Sequence, residues 1–110
     1  MRFMMLVVVD GPVGDGPTGD DVESWVKEMD DRGIRVFGNR VVSPSEATTV
    51  RVRSGDVLLT DGPFAETKEQ MAGFDIIECE SMDQAVEIAA EHPAARHGRI
   101  EVRPFWEGQA

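Results

Sequence analysis

Residues 60 to 70 read TDGPFAETKEQ, which sets Asp61, Glu66, Lys68 and Glu69 close together along the chain. A carboxylate at Asp61 lying near Glu66 or Glu69 could share a proton with it. One of the two would then titrate high enough for acid–base work, and Lys68 could hold an anionic ligand. The same stretch also makes an ordinary turn. Asp61 can accept hydrogen bonds from the turn backbone, Gly62 permits a tight approach, Pro63 fixes its own φ, and Phe64 can pin the loop to the core. Asp-Gly-Pro occurs twice more, in DGPVGDGPTGD from Asp10 to Asp20, without a polar cluster after it. The continuation AETKEQ therefore distinguishes the third copy, and its polar residues are expected in a turn or short helix.

Other chemistry finds less support. His92 is expected at the end of a helix, where a cation favours the dipole, and His97 in a polar loop. Neither has a ligand-spaced partner, so no metal site is expected there. Asp10, Asp15, Asp20 and Asp21 do not follow the calcium-loop pattern, and no phosphate-cradling Gly-rich loop or Gly-x-Ser-x-Gly elbow is present. No cofactor is expected. The single cysteine, Cys79, lies in the apolar run FDIIEC and reads as a small buried side chain, which fits a reducing cytoplasm.

Charge narrows the partners. Eleven basic residues against twenty-one acidic ones give a net charge of -10, which repels nucleic-acid phosphates. Direct DNA or RNA binding is not expected. Arg51, Arg53, Arg99 and Arg103 fall in strand-like segments and allow a local anion-binding face, although pairing with the excess carboxylates also accounts for them. No apolar run reaches the roughly 18 to 20 residues of a membrane span, and MRFMMLVVVD lacks a small-residue cleavage pattern, so a soluble cytoplasmic protein is expected.

These candidates must be positioned by the surrounding elements. Phe3 to Val9 is a continuous apolar run suited to an interior strand. Val22, Trp25, Val26 and Met29 share one face of a helix from about residue 20 to 32, with Asp20 and Glu23 as a capping-box pair and Gly33 as its stop. IRVFGNRVV (34–42) reads as a strand with a bulge or close approach at Gly38. TTVRVR and VLLT form a hairpin around Ser54-Gly55-Asp56, ending at Asp61. GFDIIEC (73–79) is a strand. Ser81 and Gln84 open a second helix whose predicted buried face is Met82, Ala85, Val86 and Ala89, stopped at His92-Pro93. RIEVRPF (99–105) is the last strand. The order describes a single domain, a ferredoxin-like α+β sandwich with an added hairpin and one helix-covered sheet face. The other face is expected to meet a second sheet in a homodimer that encloses a cleft.

The stretch TDGPFAETKEQMAGF, with ATTVRVRSGDVLL before it and HPAARHGRIEVRPF after it, resembles the DGPF group of YCII-related proteins. The resemblance implies a dimeric ferredoxin-like α/β barrel in a small bacterial protein, and for some members a place beside sigma factors. In the broader family a His on the first helix and an Asp just before the Pro ending the second have been proposed as a catalytic dyad. Here residues 20–32 contain no His, and the pre-proline residue is His92. Asp61 is then the carboxylate of choice, with Gly62, Pro63, Phe64, Glu66, Lys68 and Glu69 around it and Arg103 reaching in from the last strand.

Two functions follow as expectations. One is a dimeric module binding a small polar or anionic ligand, accessory to sigma-factor-linked regulation. The other is an enzyme of lyase, isomerase or dehydrohalogenase type acting on a small cyclic substrate, with Asp61 as acid or base.

Overall fold

A computed structural model describes residues 1–10, 19–62 and 69–107, with only the backbone described at residues 10, 19, 20 and 69. Strand β1 (Arg2–Asp10) leads to helix α1 (Gly19–Asp31) and strand β2 (Arg35–Arg40). A short 3-10 turn (Pro44–Glu46) then precedes a hairpin, β3 (Thr48–Arg53) and β4 (Asp56–Asp61). Strand β5 (Glu69–Glu78), helices α2 (Met82–Ala90) and α3 (Ala94–His97), and strand β6 (Gly98–Pro104) complete the order.

Four strands form an antiparallel sheet in the order β2-β5-β1-β6, with the apolar first strand at its centre. This is the strand arrangement of a ferredoxin-like α+β fold, and the β3–β4 hairpin is a separate two-stranded ribbon inserted between β2 and β5. Along β1 the alternation is strict. Phe3, Met5, Val7 and Val9 are buried, whereas Met4, Leu6 and Val8 are half-buried. Phe3 and Met5 join Ile77 of β5, Trp25 and Met29 of α1, and Ala85, Ile88 and Ala89 of α2 in one core. Both helices thus cover the same face.

Local signals place these elements. α1 ends in a Schellman arrangement: Gly33, at φ +69°, donates its N–H to the Asp30 carbonyl at 3.0 Å, and Ile34 donates to Met29 at 2.9 Å. Ile34 and Met29 both enter the core. At the other end Asp20 lies inside the helix and not before it, and its side chain is outside the described residues, so the expected Asp20 cap is not seen. α2 starts as expected, with the Ser81 hydroxyl accepting the Gln84 N–H at 3.1 Å, while the Gln84 carboxamide accepts from the N–H of Glu80 at 2.7 Å.

Several expectations need correction. The buried face of α2 is Ala85, Ile88 and Ala89; Met82 and Val86 are exposed. The stripe is turned because it continues into His92, which packs under Trp25. Of the two readings of Gly38, a bulge or a close approach, the close approach holds, and the bulge falls between Arg35 and Phe37. A Cβ at Gly38 would collide with the Asp75 carboxylate and stand 2.6 Å from the Phe74 carbonyl oxygen. Finally, β5 begins at Glu69, so Glu69 and Gln70 are strand residues paired with Asp10 and Val9, not part of a turn or short helix. Pairing with β1 outweighs the local polarity of the segment.

The molecule measures 47 × 40 × 19 Å with a radius of gyration of 15.8 Å, where a compact chain of this length would have about 13 Å. It exposes 7577 Å², roughly 1,500 Å² more than the ~6,000 Å² of a compact 12.1 kDa monomer.

Candidate functional site

The sheet face away from the helices can be read row by row, because residues directly opposite in an antiparallel ladder share a face. Arg103, Met4, Ile76 and Phe37 form one row across β6, β1, β5 and β2. Glu101, Leu6, Phe74 and Asn39 form the next, and Arg99, Val8 and Met71 the third. The two central strands give an apolar floor, extended toward β2 by Phe37, whose ring lies 5.8 Å from that of Phe74. Along β6 runs a charged rim of Arg99, Glu101 and Arg103, with Arg103 donating to Glu101 at 2.6 Å.

The Asp-Gly-Pro stretch begins at the end of β4. Gly62 sits at φ +94°, a conformation that favours glycine. Its N–H donates to the Ala47 carbonyl at 2.7 Å, and its own carbonyl accepts from the Thr49 hydroxyl at 2.9 Å. The hairpin and the residue before it therefore hold Gly62 by both its N–H and its carbonyl. Asp61 pairs with Thr48 and is exposed. Acid–base catalysis needs a carboxylate in water-poor surroundings, and the described residues do not supply them at Asp61.

Pro63, Phe64, Glu66 and Lys68, all expected at the site, lie outside the described residues. Glu69 is placed by its backbone opposite Asp10, at one end of the sheet. Arg103 pairs with Met4, six residues back along β1, a separation of about 20 Å at strand spacing. Within one chain Arg103 and Glu69 are thus at opposite ends of the sheet. The floor cation nearer to Glu69 is Arg99, opposite Val8.

Two buried polar arrangements were not anticipated, and both lie on the helix side. Asp75, 6% exposed, accepts from Arg35 Nε at 2.8 Å, while Arg35 also donates to the Gly38 carbonyl at 2.8 Å and reaches Asp30 at 3.5 Å. Burial pushes the Asp75 carboxyl above its usual range, with Arg35 pulling it back. The network ties the end of α1 to β2 and β5. His92, 3% exposed, sets its ring 4.7 Å from that of Trp25 and accepts the Ala94 N–H on Nδ1 at 3.0 Å. Burial lowers its pKa to about 4, so it is neutral and is not the helix-end cation expected from the sequence. Both were open to detection: Asp75 is in period two with Gly73 and Ile77, and His92 follows Ile88 at helical spacing. His97 is exposed in α3, a four-residue helix that the polar sequence did not announce.

Cys79 is free and buried, as expected. Among the described residues no cluster of His, Cys, Asp and Glu is arranged to hold a metal ion, and no helix is long and apolar enough to cross a membrane.

The geometry defines a ferredoxin-like α+β protein whose sheet keeps one apolar face bordered by charge. Comparison with known proteins narrows this. The chain matches the YCII-related domain over residues 4–108, and it therefore belongs to the YCII-related family. It is also 37% identical to an uncharacterized protein of Rhizobium meliloti (strain 1021), in a match covering 74% of this chain and 80% of that protein.

Proposed function

We propose that the protein is a homodimeric module that binds a small anionic molecule with an apolar, ring-like body. The observation behind this reading is the open sheet face, where an apolar floor of Met4, Leu6, Val8, Met71, Phe74 and Ile76 is bordered by Arg99 and Arg103. Such a surface suits a ligand whose body rests on the floor while its anionic group meets the rim. A second copy would exclude water from the cleft. In a two-fold arrangement of opposed sheets, it would also bring Arg103 of the partner subunit toward the Glu69 end of the first chain's sheet. In this reading Asp61, at the end of β4, stands at the margin of the cleft.

The test is thermal unfolding with benzoate and with phenol, using acetate and inorganic phosphate as controls. Binding only to the folded state raises the midpoint by mass action, and saturation at 100 times Kd contributes about 2.7 kcal/mol. Benzoate is expected to raise the midpoint by several degrees, phosphate and acetate to have little effect, and Arg99→Ala with Arg103→Ala to remove the rise. Equal shifts with all anions would leave the floor without a role, and no shift with any probe would overturn the reading.

A further inference from the structure

Charge alternates along the open face of β6, in the order Arg99, Glu101, Arg103. At strand spacing, neighbours in this set stand about 7 Å apart. The two arginines suit an anion, and Glu101 between them does not. Glu101 nevertheless shares its row with Leu6 and Phe74, the middle of the apolar floor, and it accepts from Arg103 at 2.6 Å. In the single chain the side chains of Glu101 and Arg103 are 47% and 70% exposed, so water still solvates both. A closed cleft removes that solvation.

A simple anion then has two ways to bind, and each is incomplete. It can leave Arg103 to Glu101 and meet Arg99 alone, or it can take Arg103 and strand the Glu101 carboxylate without a cation in water-poor surroundings, which is strongly unfavourable. A ligand that brings its own N–H donor to Glu101 avoids both penalties. Net charge points the same way. A chain of net charge -10 repels a free anion at long range, whereas a molecule carrying one charge of each sign approaches without that repulsion. The floor fits such a molecule, because Met4, Leu6 and Val8 lie beside Arg103, Glu101 and Arg99 in the same three rows. A ring resting along β1 sets substituents at its two ends over neighbouring rows.

We infer that Glu101 determines specificity and that the ligand of the cleft is an aromatic zwitterion, its carboxylate on the arginines and its ammonium on Glu101. This rests on the proposed binding of a ring-bodied anion at the open face. It narrows that class to molecules carrying both charges.

Calorimetric titration of the full chain with para-aminomethylbenzoate, its isostere para-ethylbenzoate and benzylamine separates the two claims. Wild type is expected to bind para-aminomethylbenzoate at least about fivefold tighter than para-ethylbenzoate, because a site built around a hydrogen-bonding group rejects the analogue that lacks its partner. Benzylamine should bind weakest. In Glu101→Gln the preference should disappear from both sides: the zwitterion weakens, and para-ethylbenzoate tightens on an Arg103 released from its carboxylate. Glu101→Asp keeps the charge and should keep a preference for the zwitterion. Ligand-free thermal unfolding checks that both variants are folded. If para-ethylbenzoate binds wild type as well as the zwitterion does, the role of Glu101 is overturned and the anion-binding reading stands. A preference that survives in Glu101→Gln would overturn the assignment to Glu101. Benzylamine binding as tightly as the zwitterion would remove the arginines from recognition and overturn the inference. No binding of any probe would overturn the inference and the proposed function together.

Discussion

His92 shows how a single side chain couples fold to acidity. Its pKa is about 4 in the folded chain and 6.5 without the fold's influence, so between these values the unfolded state binds the proton and the folded state does not. Stability from this residue is complete above pH 6.5 and declines as pH falls toward 4, by at most about 3 kcal/mol. Asp75 acts in the opposite sense: burial raises its pKa above 3.8, so the folded state takes up that proton first and acidification through that window favours folding. His92→Asn keeps an acceptor near the Ala94 N–H but cannot be protonated. Urea unfolding at pH 7 should show the variant less stable by about 1 to 2 kcal/mol, for the lost contact with Trp25. At pH 4.5 the gap should close or reverse. An equal gap at both values would show that His92 does not carry the acid sensitivity.

At the scale of elements, the pairing of β2 with β5 depends on a missing side chain. Gly38 faces the Asp75 carboxylate and the Phe74 carbonyl, and a methyl group there must push strand backbone aside. Gly38→Ala is expected to cost about 2 kcal/mol in urea unfolding, as overpacking does, whereas Asn39→Ala on the opposite face should stay within about 0.5 kcal/mol. The sequence showed these elements clearly wherever one local rule governed them. Valine-rich β1, the Ser81 cap, Gly33 as a helix stop, and Ser54-Gly55 as a two-residue turn, with φ +52° and +82°, all announce themselves. The rule failed where tertiary contact competed. Glu69 and Gln70 look like loop residues, but β1 recruits them into β5. The face of α2 could not be set from Met82, Ala85, Val86 and Ala89 alone, because the packing of His92 against Trp25 selects Ile88. At the candidate site only the backbone freedom of Gly62 and the strand placement of Arg103 were legible. The separation of Arg103 from Glu69 was not legible, because it is a matter of register across three strands.

For the whole molecule, charge sets the conditions of assembly. Two chains of net charge -10 repel at long range, and a Debye length of about 10 Å at 0.1 M salt removes most of that repulsion. Sedimentation at 20 and 200 mM NaCl should show the proposed homodimer tightening several-fold at the higher concentration, the reverse of an association driven by opposite charges. Weakening with salt would mean that ion pairs, not apolar burial, hold the copies together. The strand order also has a consequence for synthesis. Central β1 is made first, yet its two neighbours are β5 and β6, the last strands to be made. Until residues 69–78 have left the ribosome, Phe3 to Val9 has no strand to pair with, and α1, β2 and the hairpin emerge before any sheet exists to receive them. The nascent chain therefore carries its most apolar segment without a strand partner until β5 has emerged, so the sheet closes late and through pairing distant in sequence.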